Sequence, residues 1–159
     1  ISKPNQVWQI DITYIPMKNG FMYMTAVIDV YSRYIVGWGI SNSLDASESL
    51  KVVKEAMKIH GKPDILNSDQ GTQFSCKSYV EYLKKEEIKI SMDGKGRCLD
   101  NIFIERFWRT IKYQHIFLNP AKDGLDLYLG IQKWLQRYHN RGHQGIELKK
   151  PAEKYILAA

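Results

Sequence analysis

Three carboxylates in this chain occupy settings that could do chemistry together. They are Asp11 inside the strand-like run Val7 to Ile15, Asp69 directly after Ile65-Leu66-Asn67-Ser68, and Glu105 in the helix-like run from Asn101. Residues 70–104, 35 positions, separate the last two, and Glu105 is followed by Arg109 and Lys112 about one and two helical turns on. Three carboxylates without a histidine or cysteine partner suit a hard divalent cation such as magnesium, which takes carboxylate oxygens and keeps positions open for water and phosphate. Left alone, three such acids would force at least one to bind a proton, whereas bridging cations stabilise all of them as anions. Two ions about 3.5–4 Å apart can activate an attacking oxygen and stabilise a leaving one in phosphoryl displacement. Asp11, on a rigid strand, is the candidate shared ligand, with Asp69 completing one site and Glu105 the other. Water or a DNA 3′-hydroxyl can then attack directly, so the pattern points to metal-dependent phosphodiester chemistry.

The same residues have plainer readings. Asp11 could be a solvent-facing strand residue, although aspartate disfavours strands. Asp69, in Ser68-Asp69-Gln70-Gly71-Thr72, could be a turn or helix cap. Asp29 reads as a buried structural acid bonded to Ser32 or Arg33, and Asp100 as a cap.

The elements that must position the three acids follow from periodicity. Trp8, Ile10, Ile12 and Tyr14 alternate with Gln9, Asp11 and Thr13, giving a strand with one apolar face from which Asp11 points away. Lys18-Asn19-Gly20 predicts a hairpin turn into a second strand, Phe21 to Val30, and Ser32-Arg33 a turn into a third, Tyr34 to Ser41. A helix is predicted over Ala46 to His60, with Leu50, Val53 and Met57 inward, ended by Gly61 and Pro63. Asp64 to Ser68 reads as a strand, Ser75 to Lys85 as a helix, Ile88 to Ser91 as a fifth strand, and Met92 to Arg97 as a loop. After Asp100 or Asn101, either a suitable N-cap, Ile104, Phe107, Trp108 and Ile111 make a packing stripe that leaves Glu105 in line with Asn101, Arg109 and Lys112. A last helix, about Asp123 to Tyr138, packs through Leu127, Ile131, Trp134, Leu135 and Tyr138, followed by a basic, Gly-containing tail. Hairpins first and crossovers after predict an α/β domain with a mixed five-stranded sheet, three antiparallel strands then parallel ones, flanked by helices. For the acids to meet, the fourth strand must lie parallel to and beside the first.

Composition limits the partners. With 44% hydrophobic and 12% aromatic residues in 159, the chain can build one globular core rather than a disordered segment. Residues 1–115 are read as the core and 116–159 as a helical extension and tail of that same core. No run reaches the roughly 18 apolar residues that span a bilayer, so no membrane partner is expected. Beginning with Ile1, the chain reads as a soluble piece of a longer protein. Cys76 and Cys98 make neither a disulfide framework nor a zinc motif, which fits a reducing cytoplasm. His139 and His143 have ligand-like spacing, but without paired cysteines a hydrogen-bonding or phosphate-contacting pair is the better reading. Residues 1–105 carry 13 Lys/Arg and 13 Asp/Glu, whereas residues 106–159 carry ten and four, so the whole excess of +6 falls after Glu105. Such a surface favours a polyanion.

The ordered motifs resemble a family, the insertion-sequence transposases with a retroviral-integrase-type catalytic core, the DDE recombinases. The resemblance rests on Trp8-Gln9-Ile10-Asp11-Ile12-Thr13-Tyr14, Val27-Ile28-Asp29 with Ser32-Arg33, Ile35-Val36-Gly37-Trp38, and Ser68-Asp69-Gln70-Gly71-Thr72-Gln73-Phe74. It continues through Ser91-Met92, Gly96, Cys98, Asp100-Asn101, Glu105, Tyr138-His139-Asn140, Arg141, His143 and Pro151-Ala152-Glu153, and covers about residues 4–155. It implies an RNase H-like fold, Mg2+ or Mn2+, and Asp11, Asp69 and Glu105 as catalytic and metal-binding triad. It further implies cleavage of double-stranded DNA to expose a 3′-hydroxyl, strand transfer into target DNA, and a homo-oligomer holding two ends. Lys95, Arg97, Arg109 and Lys112, beside the acids, are the candidate DNA-backbone contacts. The family often has histidine where Asn67 stands, and its N-terminal end-recognition region has no counterpart here. Two alternatives stay open: another RNase H-like nuclease or resolvase, and a non-catalytic DNA-binding module. The 138–153 segment and the Asp69-Gln70-Gly71 context favour the recombinase.

Overall fold

The computed structural model describes residues 1–93 and 100–158. Five strands form one sheet: β1 (Val7–Pro16), β2 (Phe21–Asp29), β3 (Ile35–Ser41), β4 (Ile65–Ser68) and β5 (Lys89–Met92), in the order β3-β2-β1-β4-β5. The first three pair antiparallel, and β4 joins β1 in parallel through Val7–Ile65, Trp8–Leu66 and Gln9–Asn67. The required neighbour relation of the first and fourth strands is therefore met, and β5 extends the parallel half.

Helices cover both faces. On one lie α1 (Ala46–His60), the short α2 (Thr72–Ser75) and α3 (Lys77–Lys85), packing Val52, Val53, Ala56, Phe74, Tyr79 and Leu83 against Trp8, Ile10, Val27 and Leu66. The inward stripe of α1 centres on Val52, Val53 and Ala56, with Leu50 and Met57 only partly buried, because α1 lies close over β3. Gly37 permits that approach, since a Cβ there would meet the Ala56 Cβ at 2.9 Å. The helix expected from Ser75 to Lys85 begins at Lys77, after an extended Cys76, and the short α2 precedes it.

On the other face α4 (Ile102–Ile111) and α5 (Gly124–His139) bury the two predicted stripes against Ile15, Met24, Ala26 and Ile28. A π-helical turn, Lys112–Ile116, continues α4. β1 is thus covered on both faces rather than one, and Gln9 and Asp11 point at a helix instead of water. The 140–158 segment is folded, not a plain tail: a 3-10 turn, Gln144–Ile146, leads to α6 (Pro151–Ala158). Its Tyr155 is buried, stacks on Tyr34 at 4.9 Å and donates its hydroxyl to Asn5 Oδ1 at 2.7 Å.

Both histidines of the 139/143 pair serve as local acceptors. His139 Nε2 accepts the Ile35 N–H at 3.1 Å while its ring stacks on Tyr34 at 3.9 Å, and His143 Nδ1 accepts from Gly145 N. Burial drives His139 down to about 4, with His60 adding repulsion. A histidine depressed in the fold contributes stability that is complete above its ordinary 6.5 and is lost as pH falls toward 4. The His139→Gln chain is therefore expected to lose less thermal stability than wild type between pH 7 and pH 4.5. Parallel pH-melting curves for the two proteins would refute the assignment.

Candidate active site

Asp11 and Asp69 meet where β1 and β4 run side by side. Asp11 is half-buried under α4, and its Oδ2 accepts the Trp108 indole N–H at 3.1 Å. Burial pushes its carboxyl up to about 7; the Ile12 backbone and Trp108 pull it down, and the charge and hydrogen-bonding proximity of Asp69 push it up. Asp69 follows the end of β4 in a tight turn, its Oδ1 accepting the Gly71 N–H at 2.8 Å. A Cβ on Gly71 would stand 2.9 Å from that same oxygen, so a side chain there would push the Asp69 carboxylate out of place.

Glu105 is exposed in the first turn of α4, one turn before Trp108. It rides the helix that grips Asp11 but stands outside the aspartate pair, and among the described residues no three His, Cys, Asp or Glu side chains are grouped to share a metal ion. The structure thus brings together two of the three predicted acids. Lys112 also reaches the site, donating to Thr13 Oγ1 at 2.6 Å; burial lowers its proton affinity, and Asp11 only partly offsets that. Arg109 is exposed on α4. Lys95 and Arg97, and the loop predicted around them, lie outside the described residues apart from Met92 and Asp93.

The residues that fix α4 against the two acids were not singled out as such from the sequence. Asn101 stands at the N-cap position, but its side chain makes no cap bond. Gln9, fully buried on β1, takes that role: its Oε1 accepts the Phe103 and Ile104 N–H groups at 3.0 and 3.1 Å, and its Nε2 donates to Asp100 O. Asn101 turns inward instead, donating to Ile10 O and accepting from Asn67 Nδ2, both at 3.0 Å. Asn67 Nδ2 also reaches Asp93 Oδ1, and Asp93 Oδ2 accepts from Asn101 N. The Asn67, Asp93 and Asn101 clasp therefore joins β4, the end of β5 and the start of α4 beside Asp69. The available signal was a polar Gln9 and a polar Asn67 within otherwise apolar strands.

A half-buried carboxylate raised to about 7 beside a second one is short of positive charge. Oxygen-only donors pressed together in this way fit a hard divalent cation, which would remove the penalty on both anions.

A sheet of this order, with one acid midway along the central strand, another just past the end of its parallel neighbour, and helices on both faces, defines an RNase H-like core. Residues 1–98 match the integrase core domain family, and residues 86–151 match a second integrase core domain description. The chain belongs to the integrase core domain family. It is 35% identical over 162 aligned positions to the transposase for insertion sequence element IS904 of Lactococcus lactis, covering 96% of this chain and 62% of that protein. It is 34% identical over 117 positions to the transposase InsF of insertion sequence IS3A of Escherichia coli, covering 72% of this chain and 41% of that one. The chain thus spans less than two thirds of either relative. In fold it resembles the HTLV-2 integrase catalytic core domain in complex with magnesium, with TM-score 0.75, 20% identity and coverage of 96% and 97% of the two chains. A chain of the simian T-cell lymphotropic virus intasome in complex with PP2A regulatory subunit B56 gamma is also similar, with TM-score 0.80, 18% identity and coverage of 96% and 54%. Among the described residues, no helix is long and apolar enough to cross a membrane.

Proposed function

We propose that this chain is the catalytic core of a DDE-type transposase, cutting DNA to leave a 3′-hydroxyl and joining that end to target DNA. The observation that carries the proposal is the Asp11–Asp69 pair, in which burial and a neighbouring carboxylate raise Asp11 to about 7. Family membership and the transposase relatives supply the substrate class.

Asp11 and Asp69 would hold Mg2+ or Mn2+ between them, with Glu105 completing the ligand set from α4. Bound there, two such ions supply charge neutralisation at the phosphoryl oxygens and activate the attacking hydroxyl. Trp108 fixes the Asp11 carboxylate, and the Gly71 N–H fixes that of Asp69. Arg109 on the exposed side of α4 would hold a flanking phosphate, and Lys112 beside Asp11 would temper the negative charge of the pair. Such contacts position DNA without reading its sequence. The working assembly would contain several copies holding two DNA ends, acting in the cytoplasm on chromosomal DNA.

The test is a strand-transfer assay with a pre-cut 3′-hydroxyl end and Mg2+ or Mn2+. Wild type is expected to join strands, and Asp11→Asn, Asp69→Asn and Glu105→Gln each to reduce joining by at least about a thousandfold, as expected when a group needed at the transition state is removed. Full activity in any one variant would remove that residue from the triad. Hydrolysis of an RNA/DNA hybrid without any joining would favour a nuclease of the same fold.

A further inference from the structure

On the side of α4 turned away from the acids, a cleft of about 450 Å3 opens between α4, the turn after β2 and the segment following α5. Arg33, Arg106 and Arg141 line it together with Phe103, Tyr138 and His143, and among the described lining residues there is no carboxylate, although Asp29, buried beneath, lends Arg33 some compensating charge. Among the described ion pairs, none involves any of the three arginines. Three guanidiniums lining one concavity, with the single buried Asp29 set against Arg33, leave a net positive surface suited to an anion.

The arginines are held in place rather than free. Arg33 lies 4.2 Å over the Phe103 ring and donates to Val30 O, and Arg106 approaches the same ring at 5.8 Å. Arg141 donates to Gln114 Oε1 and lies 5.5 Å from the Trp134 ring and 5.9 Å from that of Tyr138. A guanidinium has five N–H donors, so each keeps several for a ligand. His143 adds another: with Nδ1 accepting from Gly145 N, a neutral ring carries its proton on Nε2. Burial, and then Arg33 and Arg141, lower the His143 proton affinity and so favour that neutral form.

The helix links this cleft to the acids. At 100° per residue, Trp108 and Lys112 lie on one flank of α4 and Phe103, Phe107 and Thr110 on the opposite one, with exposed Glu105, Arg109 and Arg106 across the ridge between. A helix with its side chains is about 10–12 Å across, comparable to the roughly 12 Å width of the DNA major groove. A duplex cut at the acids can therefore offer a second phosphate beyond the ridge.

We propose that the Arg33, Arg106 and Arg141 cleft is a second DNA-backbone site, holding a phosphodiester across α4 from the acids. This inference rests on the proposed function for its choice of DNA over other polyanions. The test measures anisotropy of a labelled DNA duplex against salt for wild type, the Arg106→Gln/Arg141→Gln double variant and the corresponding double lysine variant. Loss of two phosphate contacts should lower the slope of log affinity against log salt by about 1.8, at about 0.9 per contact. Relative to 1 M salt, the glutamine pair should weaken binding about sixtyfold near 0.1 M, while the lysine pair keeps most of the slope. Phenylglyoxal labelling of wild type, read by mass spectrometry, needs no variant to fold. Duplex DNA should protect Arg106 and Arg141, and inorganic phosphate at the same phosphate concentration should not. An unchanged slope in the glutamine pair, equal labelling with and without DNA, or equal protection by inorganic phosphate would each overturn the site. Failure of wild type to join strands, with slope and protection as expected, would instead sink the catalytic reading and leave the cleft standing.

Discussion

In chelator at pH 8, Asp11→Asn is expected to melt about 5 °C above the wild-type chain, although the same substitution is expected to cut strand joining at least about a thousandfold. The folded chain holds the Asp11 proton up to about 7, against 3.8 for an ordinary aspartate. Below 3.8 both states carry that proton and the residue is neutral to stability. Between the two values the folded state retains a proton that the unfolded state has released, so stability falls as pH rises, by up to about 1.4 kcal/mol per pH unit. The full gap would amount to about 4 kcal/mol; sharing of the proton with Asp69 and partial solvent access reduce it to roughly half. For a domain of this size, about 2 kcal/mol corresponds to roughly 4–8 °C. Asparagine removes the charge but can still accept the Trp108 indole N–H. The advantage of the variant should shrink on acidification and vanish below about pH 4. Addition of Mg2+ should then reverse the order, because an ion bound only by the folded wild type at a hundred times its Kd stabilises it by about 2.7 kcal/mol. Differential scanning fluorimetry of both proteins in chelator and in Mg2+, across pH 4–8, measures this. Identical melting at pH 8 in chelator would show that neither burial nor Asp69 holds the Asp11 proton.

The sequence made the central elements legible because each carries a strong period. The stripe Ile104, Phe107, Trp108 and Ile111 is buried as expected, as is the stripe of α5, since both helices rest on a continuous apolar sheet face. The pairing of β1 with β4 followed from a chemical requirement, that distant acids meet, rather than from any local signal. Alternation in β1 was read correctly as a strand, yet it could not say what covers the polar face. A helix laid over Gln9 and Asp11 produces the same alternation as solvent does. The helix Pro151–Ala158 was hidden by the basic run before it, although Pro151 at a helix start, Glu153 in the first turn and an apolar Tyr155 were its signals. Within the site, residue type pointed to Asp11 and Asp69, and the structure brings them together. The 35-residue spacing to Glu105 carries no three-dimensional distance, and Glu105 lies exposed on the helix rather than in the pair. The arginine cleft was illegible for the same reason, because Arg33, Arg106 and Arg141 come from three separate elements.

The largest structural effect is expected at Gln9, where one side chain joins the strand of Asp11 to the helix of Glu105. In Gln9→Leu, the Phe103 and Ile104 N–H groups lose their common acceptor and Asp100 O loses a donor, all beside a side chain that is fully buried. Leaving a buried polar group without a partner costs about 1–3 kcal/mol. Part of that loss is recovered by water at the helix start, so the expected destabilisation is roughly 3–4 kcal/mol, a large share of the stability of about 5–15 kcal/mol typical of a domain. Gln9→Glu should cost less, because its carboxylate can still accept both N–H groups and lies favourably at the positive end of α4. It loses the bond to Asp100 O and places a further negative charge near Asp11. Urea unfolding ranks the three proteins, and amide exchange locates the effect. Phe103 and Ile104 should lose protection in the leucine variant while Val27, in the β2–β3 ladder, keeps it relative to the new global stability. A loss below about 1 kcal/mol, or exchange that rises uniformly with no excess at 103 and 104, would mean that α4 is held by its apolar stripe alone. In that case Gln9 would have no part in setting the position of Glu105 relative to Asp11.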